Sequence, residues 1–393
     1  MRIRGATHDA FFVTTTYGIT LAIDAANGRI LWRSSPLGYS HWAGTPQITT
    51  ATPVADPSRK WIYTASPGGR IQKLAVATGH VVWRTSITKL PTREKIASSL
   101  NFADGHVIVT TGGYIGDQPP YQGHVVLLGA KNGRLLHVWN SLCSNRHEIL
   151  VPTRCGASDS AIWGRAGAVV VPGSGKLLVA TGNAPWNGRT NWGDAVLVLS
   201  ASDKLIGNYT PSDTEQLNDQ DLDLGSTSPV YLTSKIIAQG GKDGKIRLLS
   251  LARMRGTKPH KGHELQIVST PSGTDLFTAP AVWRSGRRIW LIAADNGATQ
   301  AWSLSGGRLH SVWHSDDPGT SPVIAGGLLY VYDPNGGLDV YQPATGKLIT
   351  KLDSGGGHWN SPIVTDGRIA LPEGNANDHA TSGVLDIWRL KTG

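Results

Sequence analysis

Three observations predict an all-β fold, an eight-bladed β-propeller of four-stranded antiparallel blades. A short tail recurs five times: DAANGRILWRSS (24–35), AVATGHVVWRTS (75–86), GAKNGRLLHVWN (129–140), SLSGGRLHSVWH (303–314) and QPATGKLITKLD (342–353). A run of small residues leading into an apolar strand also recurs, as ATPVAD, ASSLNF, SAIWGR, STSPVYL, FTAPAVW, GTSPVIAG and HWNSPIVTDG. Between them lie alternating stretches such as HVIVTT, LLYVYD and IRLLSL, the period of half-buried strands. The units measure roughly 40–55 residues, the span of a four-stranded blade. A two-sheet sandwich repeats its turns without this long-period similarity.

Each part of the unit has a physical reason. The tails turn on Gly28, Gly79, Gly133, Gly307 and Gly346, and glycine tolerates the positive φ that such turns demand. Trp32, Trp83, Trp139 and Trp313 follow in the outer strand, where an indole can wedge between neighbouring blades. Small lead-in residues suit an innermost strand crowded at the ring axis. The first unit, MRIRGATHDAFF, holds too few strands for a whole blade and reads like the middle of a repeat. A leader and a first strand are therefore expected upstream. The closing segment GVLDIWRLKTG (383–393) is expected to complete the ring beside the first strands, making residues 1–393 one domain.

Composition agrees with this reading. Gly 48 and Pro 22 against four Phe and two Met indicate many tight turns. Lys and Arg exceed Asp and Glu by 37 − 28 = 9, but they are scattered rather than massed in one run, which argues against nucleic acid as a partner. No stretch approaches the ~18–20 apolar residues of a transmembrane helix. The two cysteines, in CSNRHEILVPTRC, are either free thiols or a bridge between Cys143 and Cys155. A loop of that size gains about 3 kcal/mol from closure, and a bridge predicts a periplasmic or secreted location.

One hairpin departs from economy. Between LLVA and AVLVL the chain inserts TGNAPWNGRTNWGD, where two to five residues ordinarily suffice. Ordering so many polar and aromatic side chains costs entropy, which marks the insertion as a wall of the central funnel, where polar groups from several blades converge.

At these residues the chain resembles the quinoprotein alcohol dehydrogenases, eight-bladed propellers that bind pyrroloquinoline quinone (PQQ) with Ca²⁺. SAIWGRAGAVVVPGSGKLLVATGNAPWNGRTNWGD is similar to the family's Trp-Gly strand start followed by Gly-Asn, Pro-Trp-Asn and Gly-Asp. YTPSDTEQLNDQDLDLGSTSPVYL, AQGGKDGKIRLLSL and VIVTTGGYIGDQPPYQGHVVLLGAKNG resemble its neighbouring segments. The similarity is best over residues 95–250. It implies that Trp163 is the ring on which the quinone stacks, with an inner-strand core role as the alternative. It implies Asn183 and Asp117 as Ca²⁺ ligands, since that ion prefers oxygen; turn formation is the alternative for Asn183. Asp223 becomes the catalytic base and Asp221 a further carboxylate, against capping or turn roles. Lys242 becomes the quinone's hydrogen-bond donor, against a solvated turn lysine. Ser98 and Ser99, at the start of the preceding inner strand, are placed beside the cofactor.

The departures count as well. The family's adjacent cysteine pair is absent, eleven residues standing between Cys143 and Cys155, and no Cys-x-x-Cys-His binds haem. Other funnel residues, His41 with Trp42 and His358 with Trp359 and Asn360, are expected to line a substrate pocket. His147 and His379 extend this set toward a transition-metal site, although no metal-binding spacing occurs. PEGNANDHATSG, with Glu373, Asn375, Asn377 and Asp378, is a second overlong hairpin. No G-x-S-x-G or complete phosphate loop appears. Two functions remain: a PQQ-dependent dehydrogenase of an alcohol or sugar alcohol, or a cofactor-free propeller that binds a protein or glycan, as outer-membrane assembly factors do.

Overall fold

The lead-in segments and tails set the architecture. A computed structural model describes residues 1–3 and 5–389 and shows eight antiparallel sheets arranged as propeller blades. Blades two to seven have four strands each. Blade four, for example, contains Val169–Val170, Leu177–Ala180, Val196–Leu199 and Leu205–Tyr209, and blade five contains Val230–Tyr231, Ile236–Gly240, Lys245–Ser250 and Gln266–Ser269. Blade one (Ala10–Thr14, Thr20–Asp24, Ile30–Ser34) and blade eight (Ile363–Thr365, Arg368–Pro372, Leu385–Arg389) have three.

The closing segment does not pair where the repeat pattern puts it. Its described part, Leu385–Arg389, pairs with Arg368–Pro372 of its own blade, and residues 390–393 lie outside the described residues. Pairing across the loop 373–384, long as it is for a hairpin, costs less loop entropy than pairing with a strand some 370 residues away. The ring closes through side chains instead. Phe11, Ala25 and Ala370 share a cluster with Leu385 and Ile387, Arg368 reaches Asp9 at 3.1 Å, and Tyr17 Oη donates to the His379 carbonyl at 3.0 Å.

The tail tryptophans act as wedges. Trp32 Nε1 donates to Val76 O of the next blade at 2.8 Å, Trp83 to Ala130 O at 3.3 Å and Trp313 to Pro343 O at 2.8 Å. Each ring lies on the turn glycine of that next blade. A Cβ added at Gly79, Gly133 or Gly346 would come within 2.6, 2.6 or 2.7 Å of the indole. Trp139 is buried against Leu177, Leu197 and Leu199 of blade four. Between blades the core is therefore apolar ring on bare backbone.

The Cys143–Cys155 bridge is formed, with the Cα atoms 5.5 Å apart. No helix among the described residues is long and apolar enough to cross a membrane.

The glycine wedges make a direct comparison. Gly105 and Gly79 both have positive φ, +76° and +72°, but only Gly79 faces a ring. Urea denaturation should show a loss of about 1 kcal/mol for Gly105→Ala, from backbone strain, and about 2 kcal/mol or more for Gly79→Ala, where overpacking adds.

Candidate functional site in the funnel

The overlong hairpin of blade four folds over the entrance to blade five. Gly182 lies so close to Asp223 that an added Cβ would come 2.1 Å from Oδ1 and 3.6 Å from Trp163 Nε1. Only a glycine lets these two groups share one wall. Asn183 N–H donates to Asp223 Oδ1 at 2.7 Å, and Lys242 Nζ reaches Asp223 Oδ2 at 2.5 Å and Asp221 at 3.1 Å. The same ammonium stands 5.7 Å from the centroid of Trp163. Trp163, Asn183, Asp221, Asp223 and Lys242 thus meet at one place.

The turn after Asp223 is held from behind. Asp194, fully buried at positive φ, accepts Leu224 N–H at 2.9 Å and leaves its other oxygen without a partner. Burial pushes the Asp194 carboxyl well above the usual range. Burial also raises Asp223, to about 6, with the Lys242 ammonium acting against the rise. Burial works against the charge of Lys242, but the two aspartates outweigh it and raise its pKa. A carboxyl that titrates near neutral pH beside a fixed cation is suited to accepting a proton.

Arg165 follows Trp163 by two residues, in the turn closed by Gly167 N–H on Gly164 O at 2.9 Å. The Arg165 guanidinium lies 4.5 Å from the Trp359 ring, and His358 stacks on Trp359 at 3.9 Å. Trp163, Phe277 and Trp359 form a half-buried trio with centroids 5.2–6.2 Å apart. Burial lowers Arg165 to about 10, and burial with Arg165 nearby lowers Lys95 to about 7. His358 is lowered by burial and by both cations. Among the described residues neither Lys95 nor Arg165 belongs to an ion pair. This side of the funnel therefore offers uncompensated positive charge.

The other expected site residues have quieter surroundings. Ser98 Oγ donates to Ile162 O at 3.4 Å and Ser99 N–H to Arg165 O at 3.0 Å, so both brace the Trp163 segment through its backbone. Exposed Asp117 accepts the Tyr121 hydroxyl at 3.0 Å. Trp42 is buried with Tyr17 and Ile48, while His41 beside it is exposed. Asn360 donates to Pro372 O and Gly374 O, pinning the last hairpin. His147 is exposed. Arg165, Lys95, Phe277 and Asp194 were not anticipated. Only Asp194 carried a signal, as the Asp of the Gly-Asp that closes the overlong hairpin.

Charge and surface decide which groups fit here. A flat polyanionic quinone matches the half-buried aromatic faces and the unpaired Lys95 and Arg165. The three rings touch one another, so such a group would lie on the face of the cluster rather than inside it. Calcium fits less well. Both Asp223 oxygens are already engaged, and among the described residues no three His, Cys, Asp or Glu side chains converge as a metal cluster.

Eight blades around one funnel give an eight-bladed β-propeller, the fold of the solved structures it resembles. Residues 17–202 match a PQQ-repeat family model described as outer membrane protein assembly factor BamB. A polyvinylalcohol dehydrogenase of Sphingopyxis sp. (strain 113P3) is 21% identical over 96% of this chain and 67% of its own length. The quinohemoprotein alcohol dehydrogenase of Comamonas testosteroni superposes with a TM-score of 0.67 at 15% identity, over 93% of this chain and 69% of that one. BamB of Moraxella catarrhalis gives 0.64 at 14% identity, over 98% and 95%.

Titration of Asp223 has a signed consequence. Its pKa rises on folding from 3.8 to about 6, so its contribution to stability is full below pH 3.8 and is lost as pH rises through about 6. Stability measured by denaturation across this range should fall less steeply with pH in Asp223→Asn than in the unmodified protein.

Proposed function

We propose that the protein is a PQQ-dependent dehydrogenase of alcohols, acting in an extracytoplasmic compartment. The observation that carries this reading is the joint presence in one funnel of a buried carboxyl raised toward neutrality and basic groups without acidic partners beside half-buried aromatic rings. Lys95 and Arg165 would hold the carboxylates of the quinone, and the Trp163 cluster would take its flat face. When bound, PQQ supplies a two-electron acceptor for the hydrogen on the carbinol carbon.

The chain's own residues do the rest. Asp223 takes the substrate's hydroxyl proton at its carboxylate. Lys242 and the Asn183 N–H hold that carboxylate in one orientation, and Gly182 keeps the approach open. Asp194 fixes the turn from which Asp223 projects. The buried surroundings exclude water, which strengthens each of these contacts. The substrate is an alcohol or sugar alcohol, and the polyvinylalcohol dehydrogenase relative makes a polymeric alcohol worth including. The disulfide supports a periplasmic or secreted location. No step is assigned to calcium.

A second reading has its own support. The match to BamB runs nearly end to end in both chains, which favours a cofactor-free scaffold that binds a protein or glycan at the funnel.

The two readings separate on PQQ binding. Tryptophan fluorescence should quench saturably on PQQ titration, with and without Ca²⁺ as the comparison. Trp163→Ala should abolish the quenching, and Arg165→Met should weaken affinity about tenfold, the effect of losing one charge-assisted contact. Dye reduction with an alcohol panel should fall roughly 10²–10⁴-fold in Asp223→Asn. Absence of quenching at micromolar PQQ would favour the scaffold.

A further inference from the structure

The loop joining the last two strands of blade five is strongly basic. Arg253, Arg255, Lys258 and Lys261 stand in it with no acid before Glu264, in a chain whose net charge is +9. It is also firmly built. Asn208, at the outer edge of blade four, donates to Gly256 O at 3.1 Å and Lys258 O at 2.9 Å, and accepts His260 N–H at 3.0 Å. Thr210 N–H donates to His260 O and Gly262 N–H to Thr210 O, both at 2.9 Å, and Gly207 bridges Arg255. The loop therefore lies along blade four as an added edge and holds its side chains outward.

Beside it opens a cleft of about 680 Å³, which two of the loop's cations, Arg253 and Lys261, line together with His260, His263, Leu249 and Pro259. The four cations of the loop are exposed, and among the described residues none is in an ion pair. Lys242, Lys245 and Arg247 of the same blade are all paired. Like charges fixed on a rigid frame repel one another, and a bound polyanion relieves that repulsion without having to order the loop.

We propose that this rim cleft is a docking groove for a linear acidic polysaccharide. The cleft is concave, which admits a chain rather than a bilayer surface. Met254, the loop's large apolar residue, is buried and offers nothing to lipid. Single-stranded nucleic acid is held by bases stacking on open aromatic faces. Here Tyr209 is buried with its hydroxyl bonded to Glu264, and the Lys261 ammonium covers Trp186 at 5.6 Å. Carboxylated sugars need charge and hydrogen-bond donors, and the cleft supplies both. The loop touches the blade-four hairpin, Pro259 at Gly188 and Lys261 at Trp186, but the cleft shares no lining residue with the Asp223 site, so this proposal stands independently of the dehydrogenase reading.

The test uses the whole chain and polygalacturonate as probe, with binding measured at low and moderate salt. The variant R253Q/R255Q/K258Q/K261Q should bind at least about tenfold more weakly, as expected when several anion contacts are lost together. The control K60Q/K131Q/R134Q/R287Q removes the same charge elsewhere and should stay within about twofold by the same logic. The milder R253Q/K261Q should fall between wild type and the fourfold variant, and matched melting curves establish that each variant is folded. Failure of the wild type to bind, equal weakening by both fourfold variants, or tighter wild-type binding to DNA or phosphatidylglycerol vesicles would overturn the proposal.

Discussion

The structure depends on a seam of small residues around the ring axis. Thr49 Oγ1 donates to Ile96 O, Thr50 Oγ1 to Ala97 O, Ser98 Oγ to Ile162 O and Thr227 Oγ1 to Thr278 O, so the lead-in segments of blades two, three and five are tied to those of the blades that follow them. Gly164 shows how tight the seam is, since an added Cβ would fall 2.4 Å from the backbone at Thr227 and Ser228. Larger residues would spread the ring. The seam also positions the site, because Lys95, Trp163, Arg165, Asp223, Phe277 and Trp359 all sit on or beside lead-in segments. Residues far apart in sequence become neighbours because eight similar units point the same part of themselves at one axis.

Convergence concentrates charge as well as atoms. One side of the funnel places a buried carboxyl against Lys242, and the other leaves Arg165 and Lys95 without carboxylate partners. Burying unpaired charge is costly, so an anion that binds there gains more than it would at the surface. The Asp223–Lys242 pair is different in kind. It is internally satisfied, and it fixes one orientation of a group poised to take a proton. In the proposed dehydrogenase, the second half would hold the ligand and the first act on its substrate.

Much of this was legible in the sequence because repeats carry their own physical reasons. The turn glycines and the tail tryptophans make sense only together, since the ring of one blade lies on the bare backbone of the next. Trp163, Asn183, Asp223 and Lys242 were each readable by resemblance, and they share one wall. Lys95 and Phe277 were not readable, because a lone cation and a lone Phe on separate units acquire a role only when the ring brings them to Trp359. The pairing of Leu385–Arg389 within its own blade was not legible, because the repeat pattern says nothing of which edge the last strand will take. The rim loop escaped notice because its cations alternate with Gly, Pro and His and so look scattered until the outer edge of blade four straightens them.

If the funnel holds a flat polyanion against the Trp163 cluster, within reach of Asp223, a crystal of the protein grown with PQQ will show it there. Density for the quinone is expected on the open side of the Trp163, Phe277 and Trp359 cluster, with its carboxylates at Arg165 and Lys95. Ordered crystals with an empty funnel at saturating PQQ, or with PQQ bound elsewhere, would contradict this.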